Sequence, residues 1–235
     1  NPAIRVGIQQ RRAISIVPEV LQRFMEKYPD VEVIFRDGNQ AELMKMFQEG
    51  SVDYIISVCS EEIPDVVRTE IARERVLLAL PEHHPAIAHA YQVGNEPYPH
   101  LDLRYLDRET FIIPVTGQSM RMTANRIFQQ ARIRPGRLIE IGHFDVIMSM
   151  GNIGLGIGFN RLGYIHDMQK FEHVRYFFVD HEAYRSSLEL IRRKGHVISD
   201  CERDFLDILV KTIQSRYGME AVGKYKDTTD TENGQ

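Results

Sequence analysis

Twice along this chain a strand-like run gives way to a helical pattern, then to a strand, a helix and a strand again. That repeated alternation limits the fold more than any single motif, because β-α-β-α-β order predicts parallel sheets with helices on both faces. In the first run Ile4, Val6 and Ile8 alternate as a strand, and Gln9-Gln10-Arg11-Arg12 follows as a polar loop. Val17, Val20, Leu21, Phe24, Met25 and Tyr28 then recur at helical spacing. Pro18 fits such a helix only near its first turn, and Tyr28-Pro29-Asp30 stops it. Val31, Val33 and Phe35 alternate as a second strand, and Asp37-Gly38-Asn39 is a turn. Leu43, Met46 and Phe47 mark a second helix, ended by Gly50. Tyr54-Ile55-Ile56-Ser57-Val58 has the short apolar run of a buried parallel strand.

The second run follows a crossing. Residues 75–80 read as a strand ending at Pro81 and His83-His84-Pro85. Residues 86–107 are rich in Tyr, Pro, Asn and His and read as a loop-rich connection with a short helix over 102–107. Phe111-Ile112-Ile113-Pro114-Val115 is a strand, and Thr116-Gly117-Gln118-Ser119 is a polar turn opening a helix with Ile127, Phe128 and Ala131. Leu138, Ile139 and Ile141 form a strand, 143–150 a short helix, and 154–159 a strand. Residues 187–193 return as a strand, and Phe205, Ile208, Leu209 and Ile213 give a last amphipathic helix. The expected fold class is α/β, with two Rossmann-like lobes around central mixed sheets. Lobe I takes 1–81 completed by 186–216, lobe II takes 82–185, and the polar 217–235 reads as a disordered tail.

Size and charge narrow the function classes. A chain of 235 residues suits two small lobes. No apolar run reaches the roughly 18 residues that a membrane span needs, so no membrane partner is expected. A formal net charge of −4 argues against these residues gripping nucleic acid themselves. Cys59 and Cys201 show no ligand spacing; together with a start that reads straight into a strand rather than a signal peptide, they fit a cytoplasmic location.

Ligands of such sheets sit outside the carboxyl ends of the strands, which singles out the loops after strands. Gln9, Gln10, Arg11 and Arg12 follow the first strand, where helix-start N–H groups and arginine forks favour an anion; solvent or a nearby acid would equally occupy those arginines. Thr116, Gln118 and Ser119 form the matching loop of lobe II, although Ser119 would serve equally as a helix N-cap. His143 and Phe144 follow the next strand, where the plainer alternatives are a cap and a core ring. Gly154, Gly156 and Gly158 invite a nucleotide reading, but they lie within a strand rather than between a strand and a helix. Close packing explains them better: one strand face is bare while Ile153, Leu155, Ile157 and Phe159 fill the other. Neighbouring His83 and His84 on an extended segment point apart, so no metal is expected. None of the common catalytic signatures is present, and no cofactor is implied.

Several of these pieces, in this order, resemble a known family. Ile4-Arg5-Val6-Gly7-Ile8, Val17-Pro18-Glu19-Val20-Leu21, Phe24, Tyr28-Pro29-Asp30-Val31, Gly38-Asn39, Leu43 and 50–56 are similar to the opening of a LysR-type regulatory domain. Pro81-Glu82-His83-His84-Pro85, residues 151–158, and Arg193-Lys194-Gly195 before a helix with Phe205 continue the pattern. The resemblance implies a fold like that of type 2 periplasmic binding proteins, with a small effector between the lobes. It implies DNA contact only through a winged helix-turn-helix that these residues do not include, and pairing into a homodimer or homotetramer. Carried over by position, it puts the effector against Gln9 to Arg12, Thr116 to Ser119 and 142–144, and the arginines hint at an anionic ligand. It also makes the 86–101 segment longer than usual. The competing readings are a periplasmic solute-binding protein for a small anionic metabolite and an enzyme on the same two lobes.

Overall fold

The computed structural model describes residues 3–58, 62–165, 167–179, 184–216 and 220–221. Strand β1 (Ile4–Ile8) lies parallel to both β2 (Val33–Asp37) and β3 (Tyr54–Ser57), with helix α1 (Gln10–Lys27) and helix α2 (Gln40–Gln48) as crossovers. Ile4, Val6 and Ile8 are at most 2% exposed and join one core cluster with Ile16, Val20 and Phe24 of α1. Those three recur four apart, so the helix presents a single apolar stripe. Helix α6 (Asp200–Arg216) completes that cluster, with Phe205 edge-on to Phe24 at 5.1 Å between ring centres. Burying each such side chain contributes about 1.5–3 kcal/mol. On the opposite face Leu43 and Phe47 of α2 cover Ile55 of β3.

Three further strands, each paired antiparallel, extend this sheet. Strand β10 (Ser186–Arg193) pairs with β3 and with β4 (Val66–Glu74), giving the order β11-β4-β10-β3-β1-β2, where β11 is Glu220–Ala221. The sequence reading contained no strand over β4. Its core-facing Ile71 and Ala72 are buried, but its charged residues hide the alternation until their partners are known, as Arg68 pairs with Glu189 at 2.6 Å.

The second lobe holds β5 (Val76–Pro81) between β8 (Gly158–Arg161) and β9 (Val174–Phe178), both antiparallel to it. Beside them β6 (Thr110–Pro114) and β7 (Arg137–Ile141) run parallel, and a bridge from Phe111 to Ile157 joins the two groups. Helix α3 (Ser119–Ala131) packs Ile127 and Phe128 on one face, and α4 (Phe144–Asn152) packs Ile147 and Met148 on the other. The short helix α5 (Leu162–Ile165) follows β8 directly.

Several expectations need correcting. Val76–Pro81 pairs only within the second lobe, so the chain crosses at Glu74 and Arg75 rather than at Pro81. Helix α1 begins at Gln10, which makes most of the expected polar loop its first turn and leaves Pro18 inside it. The ring is tolerated because Ile14, whose carbonyl loses its donor, lies with Pro18 on the exposed face. The glycine-rich strand begins only at Gly158, and Ile153 and Leu155 are 70% and 49% exposed instead of filling a face. Close packing does hold for Gly156: a Cβ there would lie 2.9 Å from the Thr110 carbonyl oxygen. The expected tail and Cys59 fall outside the described residues, apart from the 220–221 strand.

The 86–101 segment has a structural part to play. After a tight turn over Pro85–His89, Tyr91 bridges His100, and His100 bridges Phe178. The Phe178 N–H donates to the Pro99 carbonyl at 2.8 Å, so the segment covers the open edge of β9.

Candidate functional site

A cleft of about 600 Å³ opens where loops after β1, β2, β6 and β7 meet. That volume suits a small metabolite. The four loops run straight into helices, so α1, α2, α3 and α4 all begin at its walls. An α-helix starts with unpaired N–H groups and the positive end of its dipole. Helix α2 satisfies its own start: the Asn39 side chain accepts from Glu42 N at 3.0 Å and Glu42 accepts from Asn39 N at 2.7 Å. The other three do not. Gln9, Gln118 and His143 stand at the N-cap positions of α1, α3 and α4, and none makes a side-chain cap bond. Three uncapped helix starts therefore face one cavity, which favours an anion.

Of the residues singled out by sequence, Gln9, Gln10, Arg11, Gln118, Ser119, His143 and Phe144 line this cleft. Thr116 and Arg12 do not. Thr116 is exposed on the turn before α3. Arg12 is a correction with a plain cause. Once the helix starts at Gln10, Arg12 falls on the stripe of Ile16, Val20 and Phe24 and points into the protein, with 0% exposure. Its neighbour Arg11 lies about 100° further round the helix and reaches the cleft instead, with Ile14 three residues on.

Arg12 finds a partner below the cleft floor. Its guanidinium grips Glu74 at 3.2 and 2.9 Å, and Arg161 at the end of β8 donates to the same carboxylate at 3.2 Å. All three side chains have 0% exposure. Burial pushes the Glu74 carboxyl up, but the charges of Arg12 and then Arg161, with their hydrogen bonds, hold it below the ordinary value of 4.5. Two buried guanidiniums thus converge on one carboxylate. Arg161 also donates to Ser119 Oγ at 3.3 Å, and Gln9 Nε2 donates to the same oxygen at 2.8 Å. The Tyr164 hydroxyl closes the chain by donating to Gln9 Oε1 at 3.2 Å. Ser119 thus spends both acceptor lone pairs, one on Arg161 of its own lobe and one on Gln9 of the other, and keeps its proton to donate.

The sequence reading missed part of the wall: Asp37, Gly38, Asn39, Glu42, Ile14, Met120, Asp145 and Tyr164. The after-strand rule that selected Gln9 would also have selected Asp37 to Asn39. Tyr164 carries no such signal, because it arrives on the four-residue α5. Asp145, in the first turn of α4, approaches Arg11 across the mouth at 3.8 Å. Among the described residues no group of three or more His, Cys, Asp or Glu is arranged to hold a metal ion.

A family model described as the LysR substrate binding domain matches residues 1–214. The HTH-type transcriptional regulator GltR of Bacillus subtilis is 23% identical over 203 residues, which is 86% of this chain and 64% of that protein. The chain thus spans less than two thirds of the length of the curated relatives it matches. Among solved structures, the effector binding domain of a BenM variant superposes with a TM-score of 0.77 at 15% identity, covering 94% of this chain and 98% of that one. The Synechocystis PCC6803 CcmR regulatory domain in complex with 2-PG gives 0.75 at 19%, covering 90% and 97%.

Proposed function

This chain belongs to the LysR substrate-binding domain family, and from that premise we propose that it is the effector-sensing domain of a transcriptional regulator and holds a small anion in its cleft. The reading rests chiefly on the three uncapped helix starts of α1, α3 and α4 at one cavity. The guanidiniums of Arg12 and Arg161 that converge on Glu74 beneath the floor and the remaining proton of Ser119 support it further. The effector is held by Gln9, Gln10, Arg11, Gln118, Ser119, His143 and Phe144. The lobes divide at Glu74 and Arg75, and the partners are DNA, reached through a helix-turn-helix elsewhere in the full-length protein, and further copies of the chain. Relatives named as transcriptional regulators favour this over solute transport and over catalysis. The same relatives support action in the cytoplasm, and among the described residues no helix is long and apolar enough to cross a membrane.

Thermal unfolding against sulfate, phosphate and a panel of small carboxylates tests the proposal. An anion at about a hundred times its dissociation constant adds about 2.7 kcal/mol of stability. Arg11→Ala removes a charge-assisted bond and should weaken the best anion by about 1.5–3 kcal/mol. If no anion raises the melting temperature, or Arg11→Ala binds as tightly as the unaltered chain, the anion site is wrong.

A further inference from the structure

An anion alone leaves the cleft unbalanced. Among its described lining residues one arginine, Arg11, faces three carboxylates, Asp37, Glu42 and Asp145. Two of these acids stand in the first turns of α4 and α2 and the third at the end of β2, so the lining carries more negative than positive side chains and a simple dianion would be repelled by them. Two atoms make the mismatch specific. Arg11 Nε is a buried donor with no hydrogen-bond acceptor, and Asp145 Oδ1 is a buried acceptor with no donor. Both residues line the one cleft, and their side chains approach to only 3.8 Å through another pair of atoms, too far for a hydrogen bond. Leaving such groups unpaired costs about 1–3 kcal/mol each; neither atom is open to solvent in this conformation, so a ligand gains from both by drawing the two side chains toward it.

Building on the anion reading, we propose that the effector is a zwitterion, an amino acid or a closely similar aminated acid, and that Asp145 is the residue that selects its ammonium group. The ligand's carboxylate meets Arg11 and the N–H groups at the starts of α1 and α3. Its ammonium meets the half-exposed Asp145 carboxylate, with Asp37 and Glu42 adding to the negative field around it. A carboxylic acid without the amine would bring its charge against Asp145 and offer that carboxylate nothing.

Titration calorimetry with matched pairs tests this: each common amino acid against the acid of the same skeleton lacking the amine, such as aspartate against succinate. At least one aminated member should bind the unaltered chain ten-fold or more tighter than its counterpart. In Asp145→Asn that advantage should fall several-fold, because the amide cannot pair with an ammonium, while the counterpart gains. The comparison within the unaltered chain stands even if the variant folds poorly. If acids lacking the amine bind equally well or better, or if Asp145→Asn leaves the ratio unchanged, the zwitterion proposal fails while the anion site survives. If no acid of either kind binds, the zwitterion proposal fails, and the anion site falls with it only if sulfate and phosphate also leave the melting temperature unchanged.

Discussion

Removing the Glu74 carboxylate should unfold this protein more readily than losing any surface ion pair. In Glu74→Ala the guanidiniums of Arg12 and Arg161, each with 0% exposure, lose the one carboxylate that sits between them. Breaking one buried pair by deleting a partner costs about 3–5 kcal/mol. Here two cations lose that carboxylate at once, so about 5 kcal/mol is the expectation. For a chain of this size 1 kcal/mol moves the melting temperature by about 2–4 °C, which gives a fall of roughly 10–20 °C. Glu74→Gln keeps the volume and one acceptor and should recover only part of the loss. The triple replacement Arg12→Met, Glu74→Leu, Arg161→Met removes every charge and should approach the unaltered stability, because apolar side chains of similar volume replace buried ion clusters at little cost. Urea unfolding at neutral pH reads all three variants. A loss below about 1 kcal/mol in Glu74→Ala, or a triple variant no better than the single, would mean that the cluster does not carry its charges in the way described.

Further outcomes follow from the same geometry. Acid should destabilise the chain. Glu74 and Glu202 both ionise below their ordinary 4.5 in the folded state, so the stability they contribute is complete above that value and disappears as the pH falls through their lowered folded-state values. A stability flat from pH 6 to pH 3 would contradict it. Tyr54→Phe removes the hydroxyl that donates to Glu202 at 3.0 Å beside His196, and a bond to a charged acceptor predicts a loss of about 1.5–3 kcal/mol in urea unfolding. A Cβ at Gly156 would meet the Thr110 carbonyl oxygen at 2.9 Å, whereas one at Gly158 would meet the flexible end of Met148 at 2.8 Å. Gly156→Ala should therefore cost about 1–3 kcal/mol and Gly158→Ala less; the reverse order in unfolding would refute this packing account.

What the sequence could reveal depended on whether a residue's neighbours in space were also its neighbours in the chain. The parallel crossovers were legible because Ile4, Val6 and Ile8, or Val20 and Phe24, announce their face by spacing alone. Strand β4 was not, because its charges are balanced by Glu189 on β10, more than a hundred residues on. The start of α1 was hidden by four consecutive polar residues, whose burial depends on what lies opposite each. Arg11 and Arg12 are equivalent in the sequence, yet one reaches the cleft and the other lies buried against Glu74. Asp145 was invisible for the opposite reason: an acid in a first helical turn is ordinary, and only the facing lobe gives it a task.

The same contacts say which part of the molecule is free to respond. At the back, α1, the crossing and β8 are tied through Arg12, Glu74 and Arg161, and Gln9, Ser119 and Tyr164 add hydrogen bonds between lobes. Every one of those groups is buried, so shifting the lobes there would strand charges out of water. At the front, among the described residues, the one ion pair across the mouth is Arg11 with Asp145, at 3.8 Å and with the Asp145 side chain 47% exposed. A contact of that kind contributes at most about 1 kcal/mol. The inexpensive motion is therefore opening and closing at the mouth about a fixed rear. A ligand bridging Arg11 and Asp145 acts on the weakest link between the lobes, where a few kcal/mol of binding energy suffices to change their separation.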